Sequence, residues 1–220
     1  MRYLMTKKKA EKMVKLIGNK YFNEGAEIKI NFIDNAKDYW WSQLMWGVHI
    51  HTNNRFVIDI SDNFVNEKLY PDIYKHILKD NIKFLDDFEK YIRTEFNFNS
   101  PFMNKYPKET LHVVMLLHEM VHALCYNKSG MKKSEYDDII NEQYENYDFK
   151  CEALYGLIDE DYEYRQIPSE YTADKNAVEL FNKHSLQLMS VMLNKTQKEL
   201  KEEIKLIKII LDLPYYVLYT

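Results

Sequence analysis

The residues with the clearest chemical potential form the pentad His118-Glu119-Met120-Val121-His122, an HExxH pattern. On an α-helix, positions four apart differ by about 40° in azimuth and about 6 Å in rise, so both imidazoles project from one face toward one ion. Glu119 falls on the adjacent face. There its carboxylate reaches a metal-bound water without being a ligand, as a general base for hydrolysis requires. Zinc lowers the pKa of such a water toward about 7, and the carboxylate takes its proton and later passes it to the leaving amine. Val113, Val114, Leu116, Leu117, Val121, Ala123 and Leu124 make the surrounding segment apolar around most of its circumference, the pattern of a buried helix. Two histidines and a glutamate on such a helix are costly unless a metal or a structural polar network satisfies them.

A hydrolytic zinc needs a third protein ligand and an open fourth position. The metzincin solution requires a glycine where Cys125 stands and a histidine where Lys128 stands, and is excluded. Downstream, Ile167-Pro-Ser-Glu170-Tyr-Thr-Ala-Asp174 offers a carboxylate pair on one helical face. Glu170 can bind the metal while Asp174 accepts the other ring N–H of a ligand histidine, His118 in the first instance. Rivals for the third ligand are Glu152, Glu160 and Glu163, with Asp159 and Glu163 repeating the four-residue spacing in reverse order, and His184 as the next histidine.

HExxH followed by ExxxD, here His118-Glu-Met-Val-His122 and Glu170-Tyr-Thr-Ala-Asp174, resembles the gluzincin branch of zinc metallopeptidases over about residues 107–180. The resemblance implies an α+β, zincin-like fold with a small, mainly antiparallel sheet, an HExxH active-site helix and a mostly helical C-terminal half. It implies one Zn2+ per chain held by His118, His122 and Glu170, with Glu119 as catalytic base and Asp174 behind a ligand. It also implies an oxyanion-stabilising group, for which Tyr164, Arg165, Tyr171 and His184 are the candidates. The compact size is similar to that of ImmA-type metallopeptidases, which cleave repressors. The expected function is a zinc-dependent metallopeptidase acting on a peptide or protein. The alternatives are a zincin-like metal-binding interaction module without turnover and an ImmA-like regulatory protease.

The elements that position these groups are partly readable. Met5, Ala10, Met13, Val14 and Ile17 predict a helix over 5–18 that ends at Gly18. Alternation predicts a strand over 26–33 and a hairpin over 44–61 turning at Thr52-Asn53-Asn54. Helical spacing returns over 71–96, followed by a loop over 97–106, a helix from Pro107 ended by Ser129-Gly130, and an acidic, Tyr-rich stretch over 131–167. Pro168-Ser169-Glu170 opens another helix, and a final amphipathic helix is expected over 185–213, with Pro214 ending it. The Tyr215–Tyr219 end is read as packing on the core.

Among other residues, Cys125 reads as a small buried thiol, and Trp40, Trp41 and Trp46 read as core anchors. His49 and His51 read as exposed or substrate-facing, while the 44–61 edge could pair with an extended substrate backbone.

The 220 residues are 46% apolar and 15% aromatic with 5 Gly, 5 Pro and 2 Cys, which excludes disordered, collagen-like and disulfide-scaffold chains. One domain over 1–220 is expected, with 1–106 supplying a helix, the sheet and a long helix, and 107–220 the metal-site helices and the amphipathic C-terminal helix. A balance of 30 basic against 34 acidic residues, formal charge −4, gives no field that would draw nucleic acid or anionic lipid. No secretory leader or stretch of about 18 apolar residues is evident, so a cytoplasmic location without a membrane partner is expected. The sequons at Asn127 and Asn194 are accordingly read as accidental.

Overall fold

Thr6 opens the first helix, α1 (Lys7–Tyr21), its hydroxyl accepting from the Lys9 N–H at 3.3 Å, while Ala10, Met13, Val14 and Ile17 supply the buried stripe. The computed structural model describes residues 5–33, 46–52, 54–61, 71–153 and 160–211, with side chains for all of these except 32–33, 46, 61, 71–82, 152–153, 160–161 and 206–211. Trp40, Trp41, the Trp46 side chain, Asp159 and the 214–219 end therefore lie outside the described residues. Gly18 does not end α1, which continues to Tyr21. A Cβ at Gly18 would sit 3.5 Å from Ile28 Cδ1, so the helix lies closely against the following strand. The turn between them uses Gly25 instead, at φ +82°.

Three strands follow, β1 (Glu27–Ile33), β2 (Trp46–Thr52) and β3 (Arg55–Ser61), in the sheet order β1-β3-β2. β2 and β3 form the expected antiparallel hairpin, with a register shift between Ile50 and Thr52. β1 pairs with β3 in parallel, Ile28 opposite Phe56 and Ile30 opposite Ile58. The sheet is thus mixed, where a mainly antiparallel one was expected. Its logic is the shared face: Ile28 and Ile30, Val48 and Ile50, and Phe56, Ile58 and Ile60 all fall on one side in this register. Asn31, His49 and Asp59 face the other way, where Asp59 accepts from Asn31 Nδ2 at 2.9 Å and meets His49 Nε2 at 2.8 Å.

The remainder is helical: α2 (Pro71–Glu95), α3 (Pro101–Lys105), α4 (Pro107–Ser129), α5 (Lys133–Ala153), α6 (Glu160–Arg165), α7 (Pro168–Leu193) and α8 (Gln197–Leu211). The described fold is α+β and mostly helical. α3 replaces part of the expected 97–106 loop because Ser100 caps it, accepting from the Phe102 N–H at 3.3 Å, with Pro101 at the first helical position and Phe102 and Met103 buried. The final helix expected over 185–213 is two helices. α7 ends at Asn194, which adopts a left-handed φ of 53°, and α8 starts with a reciprocal cap. Glu199 Oε2 accepts from the Thr196 N–H at 2.7 Å and Thr196 Oγ1 accepts from the Glu199 N–H at 3.2 Å.

α4 is the centre of the core. Leu111, Val113, Val114, Leu116, Leu117, Met120, Val121 and Ala123 are all at most 2% exposed, and each of the Leu, Val and Met side chains contributes about 1.5–3 kcal/mol by burial. The helix packs on α7 along one side and on β2 and β3 along another, so it stands between the two elements that border the site. Gly130, at φ +70°, terminates it as expected. Its C-terminal end is tied to the sheet by Asn127. That residue accepts from the Asn23 N–H at 2.8 Å and donates to Asn54 Oδ1 at 3.3 Å. Asn127 is 6% exposed, so the acceptor side chain of that sequon is buried.

Candidate metal centre

α4 presents His118 and His122 one turn apart, with their Nε2 atoms 3.0 Å from each other. The first turn of α7 brings Glu170 against them, Oε2 at 3.2 Å from His118 Nε2 and Oε1 at 3.4 Å from His122 Nε2. One ligand atom from each of the three residues lies within 4.8 Å of the others. Four ligands at about 2.0–2.1 Å from a tetrahedral zinc stand about 3.3 Å apart, so these separations fit such an ion. The donors are two nitrogens and a carboxylate oxygen, a set that zinc accepts. Of the rivals, Glu163 pairs with Lys150. His184 bonds the Tyr21 hydroxyl at 2.8 Å. Asp159 and the side chains of Glu152 and Glu160 lie outside the described residues.

Asp174, one turn beyond Glu170, is completely buried, and its Oδ1 lies 2.8 Å from His118 Nδ1. A carboxylate only accepts, so Nδ1 carries the proton and Nε2 faces the other donors. The second Asp174 oxygen accepts from Arg165 Nη1 at 3.1 Å. The guanidinium in turn lies over the rings of Phe88 at 4.4 Å and Tyr91 at 5.3 Å. Arg165 therefore works behind His118, and its candidacy as an oxyanion group is not supported by this placement. Tyr171 points elsewhere, its hydroxyl 3.5 Å from Glu95 Oε1.

The charges of the site are set by burial and by one another. Burial disfavours the imidazolium of His118, but Asp174, Glu170 and Glu119 outweigh it and raise its pKa well above the ordinary value. At Glu170 burial works toward the neutral acid, and hydrogen bonds from His118 and His122 overcome it and hold the carboxyl below its ordinary range. Glu119 is 8% exposed, and burial pushes its pKa up against the pull of His118 and His122. That direction brings a carboxylate closer to the proton affinity useful in a general base near neutral pH.

These groups open into a cleft of about 590 Å³. His118, Glu119, His122 and Glu170 line its inner end. β2 contributes one border through Gly47 to His51, and α5 the other through Tyr136, Ile140 and Tyr144. His49 and His51 thus border the cleft and are largely exposed, as expected. Cys125 is half-buried and is not among the lining residues. Tyr164 lines the cleft, alone among the four oxyanion candidates.

Sequence reasoning missed Tyr144, whose phenol donates to Glu170 Oε1. The available signal was the i, i+4, i+8 spacing of Tyr136, Ile140 and Tyr144, a helical stripe inside an otherwise polar segment. No protein-family profile, curated protein or solved structure matches the chain. No helix among the described residues is long and apolar enough to cross a membrane.

Proposed function

We propose that this chain is a zinc-dependent metallopeptidase in which Glu119 activates the water that attacks a peptide carbonyl. The observation that carries the reading is the convergence of His118, His122 and Glu170 within 4.8 Å at the inner end of a cleft, with Glu119 beside them. An ion held by these three residues supplies Lewis acidity and acidifies water. The protein's own groups do the rest. Asp174 fixes the ring of His118 and keeps its Nε2 turned to the site. Glu119, sheltered and not among the three ligands, takes a proton from the attacking water and returns it to the departing amine.

A peptide suits the cleft because β2 is an edge strand among the described residues. An edge offers backbone N–H and C=O groups along the cleft, onto which an extended chain can add as a further strand. The same reading includes a zincin-like arrangement of sheet and helices, one Zn2+ per chain, and action in the cytoplasm. The free thiols of Cys125 and Cys151 fit a reducing compartment.

Glu119→Gln tests the mechanism. The variant is expected to retain about one zinc per chain while cleavage of a peptide library falls by about 10²- to 10⁴-fold. Undiminished cleavage refutes Glu119 as the base. A wild-type chain that holds zinc but cleaves nothing in the library replaces the peptidase reading with that of a binding module.

A further inference from the structure

Tyr144 belongs to neither motif, yet it reaches the metal centre from α5. Its hydroxyl has a single proton, and that proton is committed to Glu170, because a carboxylate only accepts. The contact joins α5 to the first turn of α7. The ring of Tyr164 on α6 packs behind it, its centroid 6.2 Å from that of Tyr144 and 5.9 Å from that of Tyr147.

The phenol acts on one oxygen of the carboxylate. Oε1 accepts its proton and lies 3.4 Å from His122 Nε2, while Oε2 lies 3.2 Å from His118 Nε2. We propose that Tyr144 is the positioning residue of Glu170: its phenol, backed by Tyr164, holds Oε1 and leaves Oε2 to the ion. The consequence is chemical. A carboxylate free to place both oxygens on one ion occupies the position that a hydrolytic site must keep for water. The inference rests on the metal-site part of the proposed function and is independent of which bond is cleaved.

Cobalt(II) titration of the full-length, metal-stripped chain is the test, since the visible bands of cobalt weaken as its coordination number rises above four. Tyr144→Phe is expected to bind cobalt about 10- to 100-fold more weakly and to show lower visible absorbance per bound ion. Tyr164→Ala, which removes the ring packed behind Tyr144, should move both readouts in the same direction by less. Tyr171→Phe, whose hydroxyl contacts Glu95 at 3.5 Å, should move neither.

Unchanged affinity and spectrum in a folded Tyr144→Phe chain overturn the proposal, as does a wild-type chain that takes up no cobalt. If circular dichroism shows that Tyr144→Phe does not fold, Tyr164→Ala decides, and wild-type cobalt binding there overturns the proposal. A chain that shows these cobalt responses and cleaves no peptide refutes the peptidase reading while sustaining the role of Tyr144. Cleavage with no cobalt response in either variant does the reverse.

Discussion

Replacing Arg165 with methionine removes one of the two partners of a carboxylate that has no access to water. Asp174 is 0% exposed, with Oδ1 at 2.8 Å from His118 Nδ1 and Oδ2 at 3.1 Å from Arg165 Nη1. Removing one member of a buried ion pair costs about 3–5 kcal/mol, because the other charge stays buried. Two features of the site place the expectation at the lower end. Asp174 keeps its bond to His118, and the Arg165 side chain is itself 15% exposed. Loss of the guanidinium stacked 4.4 Å above Phe88 adds about 1 kcal/mol. The total is about 4 kcal/mol, or a fall in Tm of roughly 10 °C for a chain of this size. Urea unfolding in the presence of a chelator reads the difference without the stabilisation that bound metal would add. Asp174→Asn keeps the shape of the side chain and removes its charge. In that background Arg165→Met should cost about 2 kcal/mol less than in the wild type, a coupling that additive effects would contradict. A loss below about 1 kcal/mol in the single variant, or strict additivity in the double, would refute the reasoning.

Glu203 accepts from Lys195 at 2.6 Å, Tyr106 at 2.5 Å and Lys105 at 3.1 Å, and these bonds, that from Lys195 first, lower its pKa from 4.5 to about 2. A depressed acid contributes stability above its unfolded pKa and loses it as the pH falls toward the folded one. Glu203→Gln should therefore lower Tm at pH 7 by an amount equivalent to about 1 kcal/mol or less, since the cluster is partly exposed. Thermal melts should show that deficit shrinking between pH 4.5 and about 2; a deficit that grows on acidification contradicts the assignment. Gly18→Ala should stabilise the chain by about 0.5–1 kcal/mol, because a methyl 3.5 Å from Ile28 Cδ1 makes an ordinary contact and a helical glycine is costly. Destabilisation in urea would show that α1 and β1 lie closer than this packing allows.

The helices of the candidate metal site were the most legible part of the sequence, and for a local reason. His118, Glu119 and His122 sit on one apolar helix whose period is explicit, and Pro107, Gly130 and Pro168 mark the helix ends by their own backbone preferences. The division between α7 and α8 was concealed because a hydrophobic stripe continues past it. Its signal, Thr196 followed three residues later by Glu199, is a reciprocal cap whose meaning depends on the left-handed turn at Asn194. The parallel pairing of β1 was hidden for another reason. Alternation shows which face of a strand is apolar, but it carries no information on the direction of the strand's neighbour. Arg165 and Tyr144 are harder still. Each is a common residue in a polar segment, and each gains its place only when helices pack together, α6 on the neighbouring α7 at Asp174 and α5 on α7 at Glu170.

α5 differs from the helices it faces. Every α5 residue whose side chain is described is at least partly exposed, whereas α4 is sealed along most of its length. The inner end of the cleft and its α5 border are therefore unequal in durability. Backbone amides in the middle of α4 are expected to exchange with solvent only when the whole fold opens, while those of α5 should be released by detaching one helix held by a few tyrosine and side-chain contacts. The histidines ride on the most deeply buried helix, and the phenol on Glu170 rides on one with no fully buried described side chain. A fluctuation of α5 alone would widen the cleft and release Oε1, while His118 and His122 keep their places.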